Sequence, residues 1–138
     1  MVIAAIDYGE RRLGIAATDP AGIVVYPAGT IQRRTPRSDL VALSLRLKEL
    51  EASRVIVGWP LNMDGSTGPA SRRAAKFAEF LRRETGLEVE LYDERLSTFE
   101  AKERMKIVSK RRRREFVDAI AATVILESWL QSRKRRSD

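Results

Sequence analysis

One aspartate stands at the end of a predicted buried strand, where a carboxylate could do chemistry. Asp7 follows the apolar run VIAAI and comes just before the glycine of a tight turn. An unpaired carboxylate beside apolar surface is costly and normally takes a partner, a metal ion or a proton. Two structural roles compete with a functional one: Asp7 could simply form the turn, or it could pair with Arg11 or Arg12.

Further acidic side chains could join this aspartate. Asp93 and Glu94 follow a later apolar run, and Asp118 shares a helical stripe with Ala122 and Trp129. Carboxylates at one sheet edge would repel each other in a low dielectric unless a cation lay among them. Oxygen ligands alone favour Mg²⁺ or Mn²⁺, and two such ions can activate water and stabilise the leaving oxygen in phosphodiester hydrolysis. Asp118 could also be a helix-start residue satisfied by the dipole.

Composition excludes several other kinds of chemistry. The 138 residues contain no cysteine and no histidine, which rules out disulfides, Cys-type zinc sites and a Ser-His-Asp triad. Hydrolysis would have to rest on carboxylates, lysine or a hard cation. The sequence shows no signal peptide and no long apolar stretch, so we expect a soluble, cytoplasmic protein that does not enter a membrane.

The charge predicts a polyanionic partner. The net charge is +7, and residues 109–138 hold nine Lys/Arg against four Asp/Glu, or 9 − 4 = +5 of it. Five adjacent cations repel one another unless phosphates neutralise them. The predicted nucleic-acid contacts are Arg11, Arg12, Arg95, Lys110, Arg111, Arg112, Arg113 and Arg114. We expect the second basic run, RKRR, to lie in a flexible tail over 132–138.

Strands and helices alternate along the chain. The pattern predicts a three-strand meander, then strand, helix, strand and helix, which is a mixed five-stranded sheet covered by helices on both faces in one α/β domain over 1–138. The predicted strands are 2–6, 13–17, 23–26, 54–58 and 88–92. The predicted helices run from the cap Ser38 to about Ala52, from Pro69 to a stop at Gly86, from Ser97, and from about 115 to 130.

Four blocks of sequence, in this order and spacing, resemble a known family. They are DYGERRLG (7–14), VGWPLNMDGSTG (57–68), DERLST (93–98) and DAIAA (118–122). They resemble the YqgF family of pre-16S ribosomal RNA nucleases, also described as Holliday-junction-resolvase-like proteins. The resemblance covers the chain up to about Gln131.

The resemblance implies an RNase H-like fold and a metal-dependent nuclease that matures the 5′ end of 16S ribosomal RNA precursor. Carried over by position, Asp7, Glu94 and Asp118 are the acidic catalytic and metal-binding set, with Asp93 or Asp64 as a further ligand. Asp64, which precedes a glycine, also fits a simple turn residue. The implied cofactor is Mg²⁺ or Mn²⁺.

Three other functions stay open from the sequence. Cleavage of four-way DNA junctions would use the same carboxylates and would require a homodimer that makes two coordinated cuts. A noncatalytic RNA-binding factor in ribosome assembly would use only the basic segments. The first turn also resembles the phosphate loop of actin-like ATPases, although those proteins need two such domains to enclose a nucleotide.

Overall fold

The computed structural model describes residues 1–97, residue 103 and residues 119–137. Its strands are Val2–Tyr8 (β1), Arg12–Thr18 (β2), Val25–Gln32 (β3), Ala52–Trp59 (β4) and Glu88–Asp93 (β5). Its long helices are Pro36–Glu49 (α1), Pro69–Thr85 (α2) and Ile120–Ser137 (α3), and a short 3₁₀ turn spans Glu94–Leu96. No helix in these ranges is long and apolar enough to cross a membrane.

The strands form one mixed sheet in the order β3-β2-β1-β4-β5. The neighbours of β2 are antiparallel to it, whereas β1, β4 and β5 are mutually parallel. Ile6 lies opposite Val57, and Gly58 lies opposite Tyr92. The three parallel strands therefore end together, and we call this end of the sheet the carboxyl edge. The predicted meander and mixed sheet are confirmed.

Helices cover both faces of the sheet, as predicted. α1 and α2 pack on one face around Ile6, Leu43, Val57 and Leu81, and α3 packs on the other. The residues buried on the α3 face include Ile3, Ala5, Ile56, Tyr92, Leu126 and Trp129. Since side chains alternate along a strand, Asp7 shares the α3 face with Ile3 and Ala5, and Tyr8 belongs to the opposite face.

The third strand differs from the prediction of 23–26. Asp19 Oδ1 accepts hydrogen bonds from the N–H groups of Ile23 and Val24, at 2.8 and 3.1 Å, so this segment is a turn. β3 starts at Val25 and continues to Gln32. Pro27 lies inside this strand and is tolerated because β3 is at the edge of the sheet. A register shift opposite β2 absorbs Gly29, which has φ of 101°.

Helix α1 is capped by Thr35 rather than by Ser38. The Thr35 side chain accepts from the Ser38 N–H at 3.1 Å, and Ser38 Oγ accepts from the Thr35 N–H at 3.2 Å. This is a reciprocal capping box, with proline at the first helical position. Gly86 ends α2 in the left-handed conformation, with φ of 71°, as predicted.

Helix α3 continues beyond the predicted end at residue 130. It includes residues as far as Ser137 and so covers most of the segment 132–138, for which flexibility stays a prediction. The Arg133 guanidinium lies 4.7 Å from the ring centre of Trp129, one turn earlier. That contact and the good helix propensity of Lys and Arg account for the extension. The predicted start near 115, and the predicted helix after Ser97, lie outside the described residues except at Glu103, which is helical.

One arginine ties the β1–β2 turn to the start of α1. Arg33 Nη1 donates to the Gly9 carbonyl at 2.9 Å, Nη2 donates to the Tyr8 hydroxyl at 2.7 Å, and Nε donates to Asp39 at 3.3 Å. Asp39 is only 2% exposed and also accepts from the Arg34 N–H. The turn that follows Asp7 is therefore held by a buried ion pair from a distant part of the chain.

We expect Arg33→Met to lower the free energy of unfolding by about 3 kcal/mol, because it leaves a buried carboxylate unpaired. Urea unfolding followed by circular dichroism measures the change. The control is Arg37→Met, since the side chain of Arg37 is 77% exposed and lies 3.9 Å from Glu84. An exposed pair of this kind contributes less than about 1 kcal/mol. Equal losses in the two variants would contradict the anchoring role of Arg33.

Candidate active site

Asp7 lies at the carboxyl edge with its side chain on the α3 face. Its chain turns back directly afterwards, and the Gly9 N–H donates to the Arg12 carbonyl at 3.1 Å. A Cβ on Gly9 would lie 2.6 Å from that carbonyl oxygen, so the turn requires glycine. Burial raises the pKa of Asp7 above its usual value. An ion pair with Arg11 or Arg12 would instead lower the pKa, so this alternative for Asp7 is not supported.

Glu94 approaches Asp7 from the other side of the carboxyl edge. It is the first residue of the 3₁₀ turn after β5. Burial raises the pKa of Glu94, and the negative charges of Asp7 and Asp93 raise it further. Asp7 and Glu94 line one cleft of about 330 Å³ together with Ser97. Ala121, Val124 and Ile125 of α3 form its apolar wall. The structure thus brings together two of the three predicted catalytic carboxylates.

Gly58 makes room for this pair, and it was not among the predicted site residues. It is near the end of β4, between the strands that carry Asp7 and Glu94. A Cβ on Gly58 would lie 2.5 Å from Glu94 Oε1 and 2.6 Å from Ile125 Cδ1. The sequence gives one sign of this role, which is a glycine that directly follows the apolar residues VIV (55–57) of a predicted strand. Its role becomes evident only when β5 is known to be the neighbouring strand.

Asp93 and Arg95 are engaged with each other. Arg95 Nη2 donates to Asp93 Oδ2 at 2.7 Å, and Nε donates to the same oxygen at 3.0 Å. This pairing lowers the pKa of Asp93, opposite to the shift of Glu94. Arg95 Nη1 also donates to the Met63 carbonyl at 3.2 Å. The predicted roles of Asp93 in metal binding and of Arg95 in nucleic-acid binding stay predictions.

Asp64 lies in the exposed loop after β4. Its Oδ1 accepts from the Ser66 N–H at 2.9 Å and from the Ser66 hydroxyl at 2.6 Å. These bonds lower the pKa of Asp64 and form an Asx turn. This is the turn role that the sequence left open, and the metal role of Asp64 stays a prediction. Asn62 closes the same loop, because its N–H donates to the Ser66 carbonyl.

Several predicted site residues lie outside the described residues. They are Asp118 and the basic run Lys110, Arg111, Arg112, Arg113 and Arg114. Ala121 and Ile125, which follow Asp118 at three and seven positions, line the cleft. Arg11 and Arg12 are described and exposed, in the turn after Asp7 and at the start of β2.

The donor set in the cleft suits a hard divalent cation. Both carboxylates are disfavoured as anions where they lie, and a cation between them would relieve that cost. Oxygen donors match Mg²⁺ and Mn²⁺. The absence of a side chain at Gly58 lets Glu94 Oε1 occupy this part of the cleft, where it could act as a ligand. Within the described part of the chain, no group of three or more acidic, histidine or cysteine side chains could hold a metal ion.

Two solved structures with a similar backbone are Holliday junction resolvases. Thermus thermophilus RuvC in complex with a Holliday junction substrate matches with a TM-score of 0.65 and 14% identity, covering 96% of each chain. The fowlpox virus Holliday junction resolvase matches with a TM-score of 0.60 and 12% identity, covering 96% of this chain and 99% of that one. At such low identity the likeness shows the fold, which is RNase H-like as predicted.

Sequence comparison gives the family. Residues 1–132 match the model described as "RuvX: Holliday junction resolvase". A relative named "Putative pre-16S rRNA nuclease" from Anaeromyxobacter sp. (strain Fw109-5) is 46% identical over 130 residues, covering 93% of this chain and 95% of its own. Relatives of the same name from Myxococcus xanthus and Geobacillus kaustophilus are 40% and 42% identical, each across 94% of this chain and across 87% and 96% of their own. The chain belongs to this RuvX family, and the predicted resemblance is confirmed.

We expect Gly58→Ala to displace the Glu94 carboxylate and weaken divalent-ion binding at least tenfold, because the new methyl group would occupy its position. Isothermal titration with Mn²⁺ measures the affinity. The control is Gly86→Ala, where a Cβ meets nothing within 4 Å but φ is 71°. That variant should lose about 1 kcal/mol of stability and retain the wild-type Mn²⁺ affinity. Unchanged Mn²⁺ affinity in Gly58→Ala would contradict the role of Gly58.

We expect Asp7→Asn to be more stable than the wild type by about 0.5 to 2 kcal/mol at pH 8 in EDTA. The raised pKa of Asp7 means that the folded state binds more protons than the unfolded chain between the usual and the raised pKa. The free energy of unfolding of the wild type therefore falls as the pH rises through that interval. The advantage of the variant should shrink as the pH falls toward 4.

Urea unfolding at several pH values measures this difference. Glu10→Gln removes an exposed carboxylate from the same turn and is the control. An Asp7→Asn advantage that does not depend on pH, or one matched by Glu10→Gln, would contradict the explanation by burial.

Proposed function

We propose that this chain is a metal-dependent nuclease that hydrolyses phosphodiester bonds in nucleic acid, as one RNase H-like domain over 1–138. The observation that carries the proposal is the shared cleft of Asp7 and Glu94 at the carboxyl edge. Both carboxylates have raised pKa values, and such shifts are common at functional sites. The names of the relatives and of the family agree with a nuclease.

Each acidic residue has a distinct part in this proposal. Asp7 is held rigidly by β1 and its anchored turn, and Glu94 is held by the 3₁₀ turn after β5. Asp118 completes the set in this proposal, because it precedes the start of α3 by two positions in the sequence and Ala121 and Ile125 of α3 line the same cleft. Bound Mg²⁺ or Mn²⁺ would supply an activated water and neutralise charge on the scissile phosphate.

Basic residues beside the cleft fit a nucleic-acid backbone. Arg11 and Arg12 are exposed immediately after Asp7, at the edge where the cleft opens. The run 110–114 adds five cations close in sequence to Asp118. Such contacts position a backbone without reading its sequence. A cytoplasmic location suits this partner.

The most specific form of the proposal is processing of the 5′ end of pre-16S ribosomal RNA, and it is supported by relatives that are named as pre-16S rRNA nucleases. The family description favours a second candidate, cleavage of four-way DNA junctions. Junction cleavage requires two coordinated cuts and hence a two-fold homodimer. A monomeric mass in light scattering with a junction bound would exclude it.

The test is cleavage of end-labelled precursor ribosomal RNA and of a DNA four-way junction, each with Mg²⁺, Mn²⁺ or EDTA. We expect cutting that depends on metal and that falls at least 10³-fold in Asp7→Asn and in Glu94→Gln, since each variant removes a charged ligand. Glu10→Gln is the matched control and should cut like the wild type. The preferred substrate distinguishes RNA processing from junction cleavage.

Binding without cutting in every condition would contradict the nuclease proposal. It would favour a noncatalytic RNA-binding factor. Cutting that survives Asp7→Asn would place the active site elsewhere in the chain.

A further inference from the structure

A second concave surface opens at the carboxyl edge, on the face of the sheet opposite to Asp7. We call it the α1–α2 groove, and its volume is about 240 Å³. It lies between the two helices, with Leu40 on the α1 side and with Arg73, Lys76 and Phe80 on the α2 side. Tyr8 forms part of its floor. Since Tyr8 directly follows Asp7, the groove and the catalytic cleft meet at one end of β1.

The groove contains an exposed ring above a rigid aromatic floor. The Tyr8 ring stacks on Phe77 with 4.5 Å between centres, and the Arg33 guanidinium covers its other face at 4.3 Å. Both faces of Tyr8 are therefore occupied within the protein. Phe80 is 42% exposed, and the Lys76 ammonium lies 5.8 Å from its ring centre. Phe80 is the ring that a flat ligand could reach.

The two α2 cations of the groove differ from Arg33, which also lines it and is paired with Asp39. Among the described residues, neither Arg73 nor Lys76 forms an ion pair, whereas Arg82 and Arg83 farther along the helix both pair with Glu79. The first turn of α2, which precedes Arg73, also holds no acidic residue. Two cations without an ion-pair partner beside an exposed ring are complementary to an anion that carries a planar group.

We propose that the α1–α2 groove binds an unpaired nucleotide of the substrate strand, with its base on Phe80 and its flanking phosphates at Arg73 and Lys76. The inference rests on the proposed nuclease function and adds the substrate class, a single-stranded segment next to the cut. A base offers its face to an aromatic side chain only when it is unpaired and unstacked. Duplex nucleic acid could contact the two cations but not Phe80.

The test measures binding of a fluorescein-labelled single-stranded RNA and of its duplex, both in EDTA and in an Asp7→Asn background that prevents cutting. Phe80→Ala should weaken single-strand binding between about fivefold and 150-fold, the range for loss of one base stack, and should leave duplex binding unchanged. Arg73→Glu with Lys76→Glu should weaken binding of both. For the single strand, it should also lower the slope of log Kd against log salt by about 1.4, for two phosphates.

Folding and specificity have their own controls. Urea unfolding followed by circular dichroism should give the variant with Arg73→Glu and Lys76→Glu a free energy of unfolding close to that of its parent, so that weaker binding does not come from unfolding. Lys48→Glu reverses an exposed cation in the last turn of α1, at the opposite end of the sheet, and should change the affinity less than twofold. A single-stranded DNA of the same sequence shows whether the groove distinguishes the sugar.

Two results would overturn the groove proposal. One is single-strand binding in Phe80→Ala equal to that of its parent, and the other is a loss in Lys48→Glu as large as in the groove variants. Cleavage of the same RNA by the wild type with Mn²⁺ is measured separately. Binding that depends on Phe80 without any cleavage would refute the nuclease function and leave the groove supported.

Discussion

The structure of the carboxyl edge is constrained by two carboxylates that share one partly buried cleft. Burial raises the pKa of both Asp7 and Glu94, and the charge of Asp7 adds to the shift of Glu94. The fold could lower this cost by separating them, yet the sheet register and Gly58 bring them closer. Because Gly58 has no Cβ, the Glu94 carboxylate can lie where a methyl group would otherwise displace it. Stability is sacrificed here for a site that a cation would complete, which is typical of functional sites.

The opposite face of the sheet explains how Asp7 can be held in that position. Its turn is anchored by Arg33, which directly follows β3 and is paired with the buried Asp39. The same guanidinium covers Tyr8. One residue therefore positions the turn that follows Asp7 and the floor of the α1–α2 groove. A nucleic-acid strand that contacts both the cleft and the α1–α2 groove would therefore contact a single rigid unit.

Local patterns in the sequence were sufficient to predict most of the fold, and long-range contacts account for what they missed. Asp7 could be recognised because a carboxylate at the end of an apolar run is rare, and the sheet class followed from the alternation of runs. The ion pair between Arg33 and Asp39 could not be found, because Asp39 looks like an ordinary first-turn acid. Gly58 was missed because the residue that it makes room for, Glu94, is distant in sequence. The predicted start of β3 failed because the Asp19 side chain satisfies backbone groups that a strand would have used.

The adjacent acids Asp93 and Glu94 have pKa values that are shifted in opposite directions. Asp93 caps the 3₁₀ turn and is neutralised by Arg95, which lowers its pKa. Glu94, one residue later, turns into the cleft, where its pKa is raised. If Arg95 paired with Glu94 instead, it would neutralise one of the two carboxylates that line the cleft, and the cleft would attract a cation less strongly. The pairing of Arg95 with Asp93 therefore leaves the cleft acidic, and because Arg95 also holds the Met63 carbonyl, it fixes the loop after β4 beside that acidic edge.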